Sequence, residues 1–269
     1  MDLQDYTAAN RQAWEETAPV HQASQLDRLL AAFGDPAYLN LDETARHWLA
    51  KVGVQGKSVV QLCCNNGREL ISIQRLGAGH CLGVDISESF IAQAQELNTA
   101  GKADCTFLAC DVYNIPPEFD AQFDLVYISV GALGWMPDLA AFYAVCARLL
   151  RPGGMLLEYE MHPILDMIED MPSLPPRLAN SYFRTQPLVD DSGLDYYEGM
   201  SYQSSPSYWF HHKVADVIQT CLDAGFALTG FAEYPHDVSE VFAYLEKDEA
   251  RLPLSYVLMA RLHSGDQDD

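Results

Sequence analysis

Basic residues are scarce in this chain: 16 Lys and Arg stand against 38 Asp and Glu over 269 residues, a formal net charge of −22. So acidic a surface repels phosphate backbones and anionic lipid, which argues against nucleic acid as a partner; the charge serves solubility or, alternatively, a preference for neutral or cationic substrates. Long apolar runs are missing too. No stretch of 18 or more apolar residues occurs, so no membrane-spanning helix is expected. The first residues, Met1-Asp-Leu-Gln-Asp, are acidic and polar, unlike a signal or transit peptide. The seven cysteines, at 63, 64, 81, 105, 110, 146 and 221, form no C-x-x-C pair and no zinc-type spacing, so no metal is expected. Most lie inside apolar runs as small buried hydrophobes, and an odd count without a framework fits a reducing cytoplasm. There is no internal repeat, and the acidic tail from Ser264 reads as a frayed end.

With 49% hydrophobic and 20% charged residues, the chain has enough apolar material for a full core. Residues 8–33 carry a broad amphipathic helical pattern through Trp14, Ala18, Leu26, Leu29 and Leu30, and Leu41–Val52 reads as a second helix. From there the period alternates. Short apolar runs at Ser58–Leu62, Cys81–Ile86, Cys105–Cys110, Phe123–Ile128 and Met155–Glu158 read as strands. Helical faces lie between them, such as Phe90, Ile91, Ala94 and Leu97. Alternation at this spacing predicts an α/β fold of right-handed βαβ units on a parallel sheet covered on both faces. Residues 161–207 interrupt the rhythm with six prolines and four tyrosines, and alternation at Ser181–Thr185 and Gly199–Ser204 suggests an antiparallel hairpin. A helix near Lys213–Ala224 and strands at Ala227–Phe231 and Ser255–Leu262 follow. The organisation expected is a helical lid over 1–50, then a domain over 51–269 with a substrate-covering insertion at 161–207.

Val59-Val-Gln-Leu-Cys-Cys-Asn-Asn-Gly67-Arg-Glu-Leu reads as a strand, a tight turn and a helix start, a place where backbone can approach a ligand closely. Asp85 ends the second strand, where a carboxylate can accept both hydroxyls of a ribose, and Asp111 follows the third. Glycine spacing separates the two nucleotide cofactors that use this layout. G-x-G-x-x-G needs glycine at 63, 65 and 68, where Cys63, Asn65 and Arg68 stand. G-x-G-x-G needs it at 63, 65 and 67, and Gly67 is present; Asn65 is the non-glycine residue that best tolerates left-handed torsions.

Val59–Gly67, Gly83–Ser87, Cys110–Pro116, Phe123–Asp138 and Leu149–Glu158 resemble, in order and at normal intervals, the successive motifs of the class I S-adenosylmethionine-dependent methyltransferases that act on small molecules. The resemblance implies a doubly wound, mostly parallel seven-stranded Rossmann-like sheet with an antiparallel last strand, and S-adenosyl-L-methionine as cofactor. It places the cofactor at Cys63, Asn65, Asn66, Gly67, Asp85, Ile86, Asp111, Val112 and Ser129, with Gln61 supporting the loop. The family usually has an acid at the position of Gln61 and glycines at those of Cys63 and Asn65. A side chain at 63 would narrow the space beside the methionine moiety.

Trp14, Ala18 and His21, spaced i, i+4, i+7, are similar to the family's Tyr-x-x-x-Ala-x-x-Tyr lid, and equally form an amphipathic face that packs on the core. Pro19 should break or kink that helix. Trp135, Tyr182, Trp209 and His211 complete the expected substrate and lid set, the tyrosines of the insertion making either an aromatic wall or an apolar flap. Methyl transfer is an in-line displacement that rests on alignment and exclusion of water, and needs a general base only when the acceptor arrives protonated. The candidate base, or hydrogen-bonding partner of the substrate, is His162, directly after the fifth strand and held by Pro163; the alternative for a lone histidine at a strand end is a solvated or backbone-bonded role. A monomer or a homodimer is expected.

Overall fold

The computed structural model describes residues 1–169, 173–194, 202–239, 241–249 and 251–264. Its centre is a seven-stranded sheet in the order β3-β2-β1-β4-β5-β9-β8. Strands β1 (Val59–Leu62), β2 (Cys81–Asp85), β3 (Cys105–Ala109), β4 (Phe123–Ser129) and β5 (Leu150–Met161) are parallel. β9 (Ser255–Leu262) enters antiparallel between β5 and β8 (Phe226–Tyr234). The α/β fold and its antiparallel last strand are therefore as the sequence implies.

Alternating side chains of each strand feed two cores, which is why the strands read as continuous apolar runs. Val60, Leu62, Val84, Val126, Ile128 and Leu156 pack against α6 (Leu139–Leu149) and α7 (Val214–Asp223). Val59, Cys81, Leu125, Tyr127 and Leu157 face the other way, onto α3 (Glu43–Val52), α4 (Arg68–Arg75) and α5 (Glu88–Ala100). Side-chain caps set three of these helix starts: Asp42 accepts from Ala45 N at 2.7 Å, Ser87 from Phe90 N at 3.1 Å and Asp138 from Ala141 N at 2.9 Å.

The amino-terminal segment corrects one expectation. Pro19 does not break the helix. α1 (Leu3–His21) runs through it and widens into a π turn over Gln22–Leu26 before α2 (Asp27–Phe33). Proline removes one N–H, and the ladder resumes beyond it, with Gln22 N donating to the carbonyls of both Ala18 and Pro19. The insertion corrects another. Its hairpin pairs β6 (Leu188–Asp190) with β7 (Ser207–Trp209), outside the strands expected at 181–185 and 199–204. Ser181 instead closes a local turn, its hydroxyl accepting from Phe183 N at 3.1 Å and its carbonyl from Arg184 N at 3.2 Å. Tyr196, Tyr197 and residues 199–201 of the second expected arm lie outside the described residues.

α1 is fastened to the insertion. The Asn10 amide donates to Tyr208 O at 3.0 Å and accepts from Tyr208 N at 2.7 Å, reading the backbone of β7 as a third strand would. Glu16 accepts from Ser205 N and Ser205 Oγ, both at 2.7 Å.

One acid lies deep in the core beneath α6. Glu158 is fully buried on β5 and accepts the hydroxyls of Tyr143 at 2.7 Å and Tyr256 at 2.6 Å. Burial nonetheless pushes its pKa up to about 7 from 4.5. The folded chain thus binds this proton more tightly than the unfolded chain. Its contribution to stability is complete below about pH 4.5 and is lost as pH rises through about 7. Urea unfolding of Glu158→Gln should show a shallower fall in stability between pH 5 and 8 than the parent; equal slopes would contradict this assignment.

Candidate functional site

A cavity of about 610 Å³ opens at the carboxyl ends of the strands, the end of an open α/β sheet where ligands bind. Its floor is the turn after β1. Cys63, Asn65 and Gly67 all take left-handed torsions, with φ of 54°, 50° and 71°. Two of the three are therefore held against their preference. The hold comes from β2: Asp85 accepts from Asn65 N at 2.7 Å through one oxygen and from Ser87 N at 3.0 Å through the other. Cys64 N donates to Val84 O at 3.0 Å, and the Asn65 side chain accepts from Asn66 N at 2.8 Å. Burial raises the Asp85 pKa to about 6 from 3.8, against the pull of these two amide donors.

Gly67 is required twice over, by its φ and by space: a Cβ there would lie 2.5 Å from the Phe107 ring. Neither Gly67 nor Asn66 lines the cavity. Both are buried or capping parts of the turn, and Asn66 Oδ1 has no hydrogen-bond partner among the described residues.

Gln61 is 1% exposed yet reaches the cavity wall. Its Nε2 donates to Glu69 Oε2 at 2.8 Å and to Ser129 Oγ at 2.9 Å, joining β1, α4 and β4. Its Oε1 is a buried acceptor with no partner among the described residues. Asp111 lines the far side, with Oδ1 accepting from Tyr113 N at 3.0 Å. Of the residues expected to touch the cofactor, Cys63, Asn65, Asp85, Ile86, Asp111, Val112 and Ser129 line one continuous wall with Gln61.

The roof is aromatic. Trp14 meets Trp135 edge-on at 5.3 Å between ring centroids, and Trp135 meets Trp209 at 5.0 Å; all three line the cavity. Three other expected residues act one layer back. His21 is buried, with Nε2 at 2.9 Å from Leu194 O and its ring edge-on to Trp14 and Phe90. Asp166 accepts from Trp209 Nε1 at 3.0 Å and meets His211 Nδ1 at 2.8 Å, while His211 Nε2 meets Tyr182 O at 2.8 Å. His211 and Tyr182 therefore hold the indole in place and do not line the cavity.

His162 must be withdrawn from the cavity. It is buried outside the lining, and its Nδ1 accepts from Ile164 N at 3.1 Å. Nε2 then carries the hydrogen, which points to Glu233 Oε1 at 3.1 Å. Neither nitrogen keeps a lone pair for an acceptor's proton, and burial lowers the pKa further. The residue caps a short 3₁₀ turn over Pro163–Met167.

Three features escaped the sequence. Glu160, 3% exposed, accepts from Gly131 N at 2.6 Å, Ala132 N at 2.7 Å and Leu133 N at 3.0 Å, and so shapes the wall after β4. Burial pushes its pKa up to about 8, with the negative charge of Glu158 adding to the rise and the three amides opposing it. Tyr159 lines the cavity and donates to Asp42 Oδ2 at 2.8 Å, with His236 Nε2 also at 2.8 Å from its hydroxyl. Tyr38–Asp42 and Val238 complete that end. The available signal was Glu-Tyr-Glu inside an otherwise apolar strand, since acids in such runs are rarely idle.

Residues 59–154 match a family model described as a methyltransferase domain. That stretch runs from β1 into β5. Over 161 residues it is 30% identical to a phthiotriol/phenolphthiotriol dimycocerosates methyltransferase of Mycobacterium ulcerans, a match covering 58% of this chain and 54% of that protein. Over 160 residues it is 26% identical to the ubiquinone biosynthesis O-methyltransferase of Aromatoleum aromaticum, covering 58% and 59%. The chain thus spans little more than half the length of these relatives. The fold extends further. Geranyl diphosphate C-methyltransferase of Streptomyces coelicolor, solved with S-adenosyl-L-homocysteine, superposes at a TM-score of 0.60 with 12% identity, covering 95% of this chain and 97% of that one. The matched stretch supplies the floor of the cavity and Trp135 of its roof, while α1 and β7 add Trp14 and Trp209.

Two glycines with the same torsion test the turn. Gly67 and Gly153 have φ of 71° and 77°, but nothing lies within 4 Å of a Cβ on Gly153. Gly153→Ala should cost about 1–2 kcal/mol from torsion alone, and Gly67→Ala about 1–3 kcal/mol more from the Phe107 overlap. Denaturant unfolding of the two variants checks this; equal losses would contradict the steric account.

Proposed function

We propose that this chain is an S-adenosylmethionine-dependent methyltransferase for a small-molecule acceptor, working as a monomer or homodimer in the cytoplasm. The observation that carries the reading is the Asp85 carboxylate, fixed by two amides at the end of β2 and facing the cavity where the methyltransferase match lies.

The residues present fit the cofactor. Asp85 offers its remaining lone pairs to the two ribose hydroxyls. The unpartnered Oε1 of Gln61 is an acceptor of the kind an α-ammonium group satisfies. Val112 and Asp111 offer an apolar face and an acceptor to the adenine. Four carboxylates line the cavity, at Asp42, Glu69, Asp85 and Asp111, against the guanidiniums of Arg28 and Arg68, which suits a ligand of net positive charge. A volume of about 610 Å³ lies in the range of small-molecule sites.

The bound cofactor supplies an electrophilic methyl group on a sulfonium with a good leaving group. The chain's part is to orient the acceptor and keep water out, and such positioning contributes roughly 7–11 kcal/mol in favourable cases. Trp14, Trp135 and Trp209 do this from above, locked by Asp166, His211 and the clasp of Asn10 on Tyr208. Tyr159 and Asp42 put hydroxyl and carboxylate groups at the opposite end. An acidic chain without an apolar helix long enough to span a membrane, among its described residues, accords with a small neutral or cationic acceptor in preference to nucleic acid. The seven free cysteines accord with a reducing compartment.

Calorimetric titration with S-adenosylhomocysteine tests the reading. Two charge-assisted bonds at roughly 1.5–3 kcal/mol each are at stake in Asp85→Ala, so affinity should fall more than about a hundredfold. The hydroxyl donors favour the ionised carboxylate, so parent affinity should be flat above about pH 6 and decline as pH falls through it. Unchanged affinity in a folded Asp85→Ala variant would overturn the assignment.

A further inference from the structure

The opposite, amino-terminal end of the sheet holds a second cavity, of about 260 Å³, with a different chemistry. Lys51 at the end of α3, Lys57 before β1, Arg151 on β5 and Arg261 on β9 all line it, with Asp124 as its one acid among the described residues. Asp124 is already committed. One oxygen accepts from Ser58 N at 2.8 Å and the other from Arg151 at 3.0 Å. Lys51, Lys57 and Arg261 have no ion pair among the described residues; Lys51 lies 3.9 Å above the Trp48 ring, and Arg261 donates to Gly153 O at 3.2 Å.

Three adjacent unpaired cations are out of keeping with this chain. Acids outnumber bases more than two to one, so a base placed without constraint finds an acid readily. Gathering three around one concavity sets their like charges against each other, which an external anion relieves. The backbone is also irregular there. β5 shifts register against β4 between Leu150 and Met155, and β8 shifts against β9 at Thr229; both irregular stretches line the cavity. Such bulges re-aim side chains and are over-represented beside functional sites. The Thr229 hydroxyl is anchored on Met259 O at 3.2 Å, and Gly230 lets the strand close on Trp48, where a Cβ would lie 2.7 Å from the ring.

We propose that this cavity is a binding site for a small polyanion carrying two or three phosphate or carboxylate groups, held by Lys51, Lys57 and Arg261. Its size admits a compact anion and excludes a duplex or a folded domain. It lies at the far end of β4 and β5 from the cofactor cavity, so its occupant does not compete there. The proposal goes beyond methyl transfer and stands whether or not that reading holds.

The test is calorimetric titration of the full chain at low ionic strength with inorganic pyrophosphate, and separately with citrate to distinguish phosphate from carboxylate. One saturable site for either anion is expected, weakened by salt and unaffected by S-adenosylhomocysteine. Lys57→Ala/Arg261→Ala should weaken it about tenfold or more, with thermal melting confirming the fold. Lys51→Glu, at an exposed residue of α3, provides a second variant with the same expectation. The proposal is overturned if neither anion binds, if binding survives both variants, if S-adenosylhomocysteine displaces the anion, or if only a glutamate-rich peptide binds.

Discussion

Everything at the cofactor end of the molecule hangs on how β2 holds the turn after β1. Left-handed torsion at Cys63, Asn65 and Gly67 reverses the chain so sharply that the helix start of α4 can face the cavity. Only one of those residues is a glycine; Asn65 tolerates the torsion better than most, while for Cys63 it is unfavourable by roughly 1–2 kcal/mol. The amide of Asn65 on Asp85 offsets this, and the same carboxylate fixes Ser87, whose hydroxyl begins α5. One acid therefore organises two loops and still faces the cavity with lone pairs to spare. That double duty explains how a turn short of glycines keeps the shape of a glycine-rich one.

A second carboxylate does for the wall what Asp85 does for the floor. Glu160 gathers the amides of Gly131, Ala132 and Leu133, and the chain then turns so that Gly134 can lie against Trp209. A Cβ on Gly134 would sit 2.3 Å from that indole. Trp209 in turn is aimed by Asp166, and β7 is clasped by Asn10 of α1. The roof is thus assembled from segments some two hundred residues apart, each held by a polar group whose partner is backbone or indole. In a chain so rich in acids, several of them serve as internal hydrogen-bond acceptors instead of surface charge.

Much of this was legible in the sequence because the period of apolar residues reports burial directly. The strands at 59–62, 81–85 and 123–129 are largely covered on both faces and read as mostly apolar runs, interrupted at Gln61 and Asp124. Asp85 and Gly67 stood out because a strand end and a tight turn each restrict which residue can stand there. His162 misled for the opposite reason. Its position after β5 was read correctly, but the ring's direction depends on Glu233, which lies 71 residues away on β8. The same limit hid the turning of His211 and Tyr182 behind Asp166. The hairpin slipped because Ser181 closed a turn on itself, a local bond that alternation does not reveal.

On the proposed reading, the cavity is built around a nucleoside bearing a methionine chain. A crystal structure with S-adenosylhomocysteine tests it most directly. Both ribose hydroxyls should lie on the Asp85 carboxylate, the α-amino group on Oε1 of Gln61, and the sulfur should face the space between Trp209 and Tyr159. A ligand seated elsewhere, or one bound here with its ribose turned away from Asp85, would contradict it.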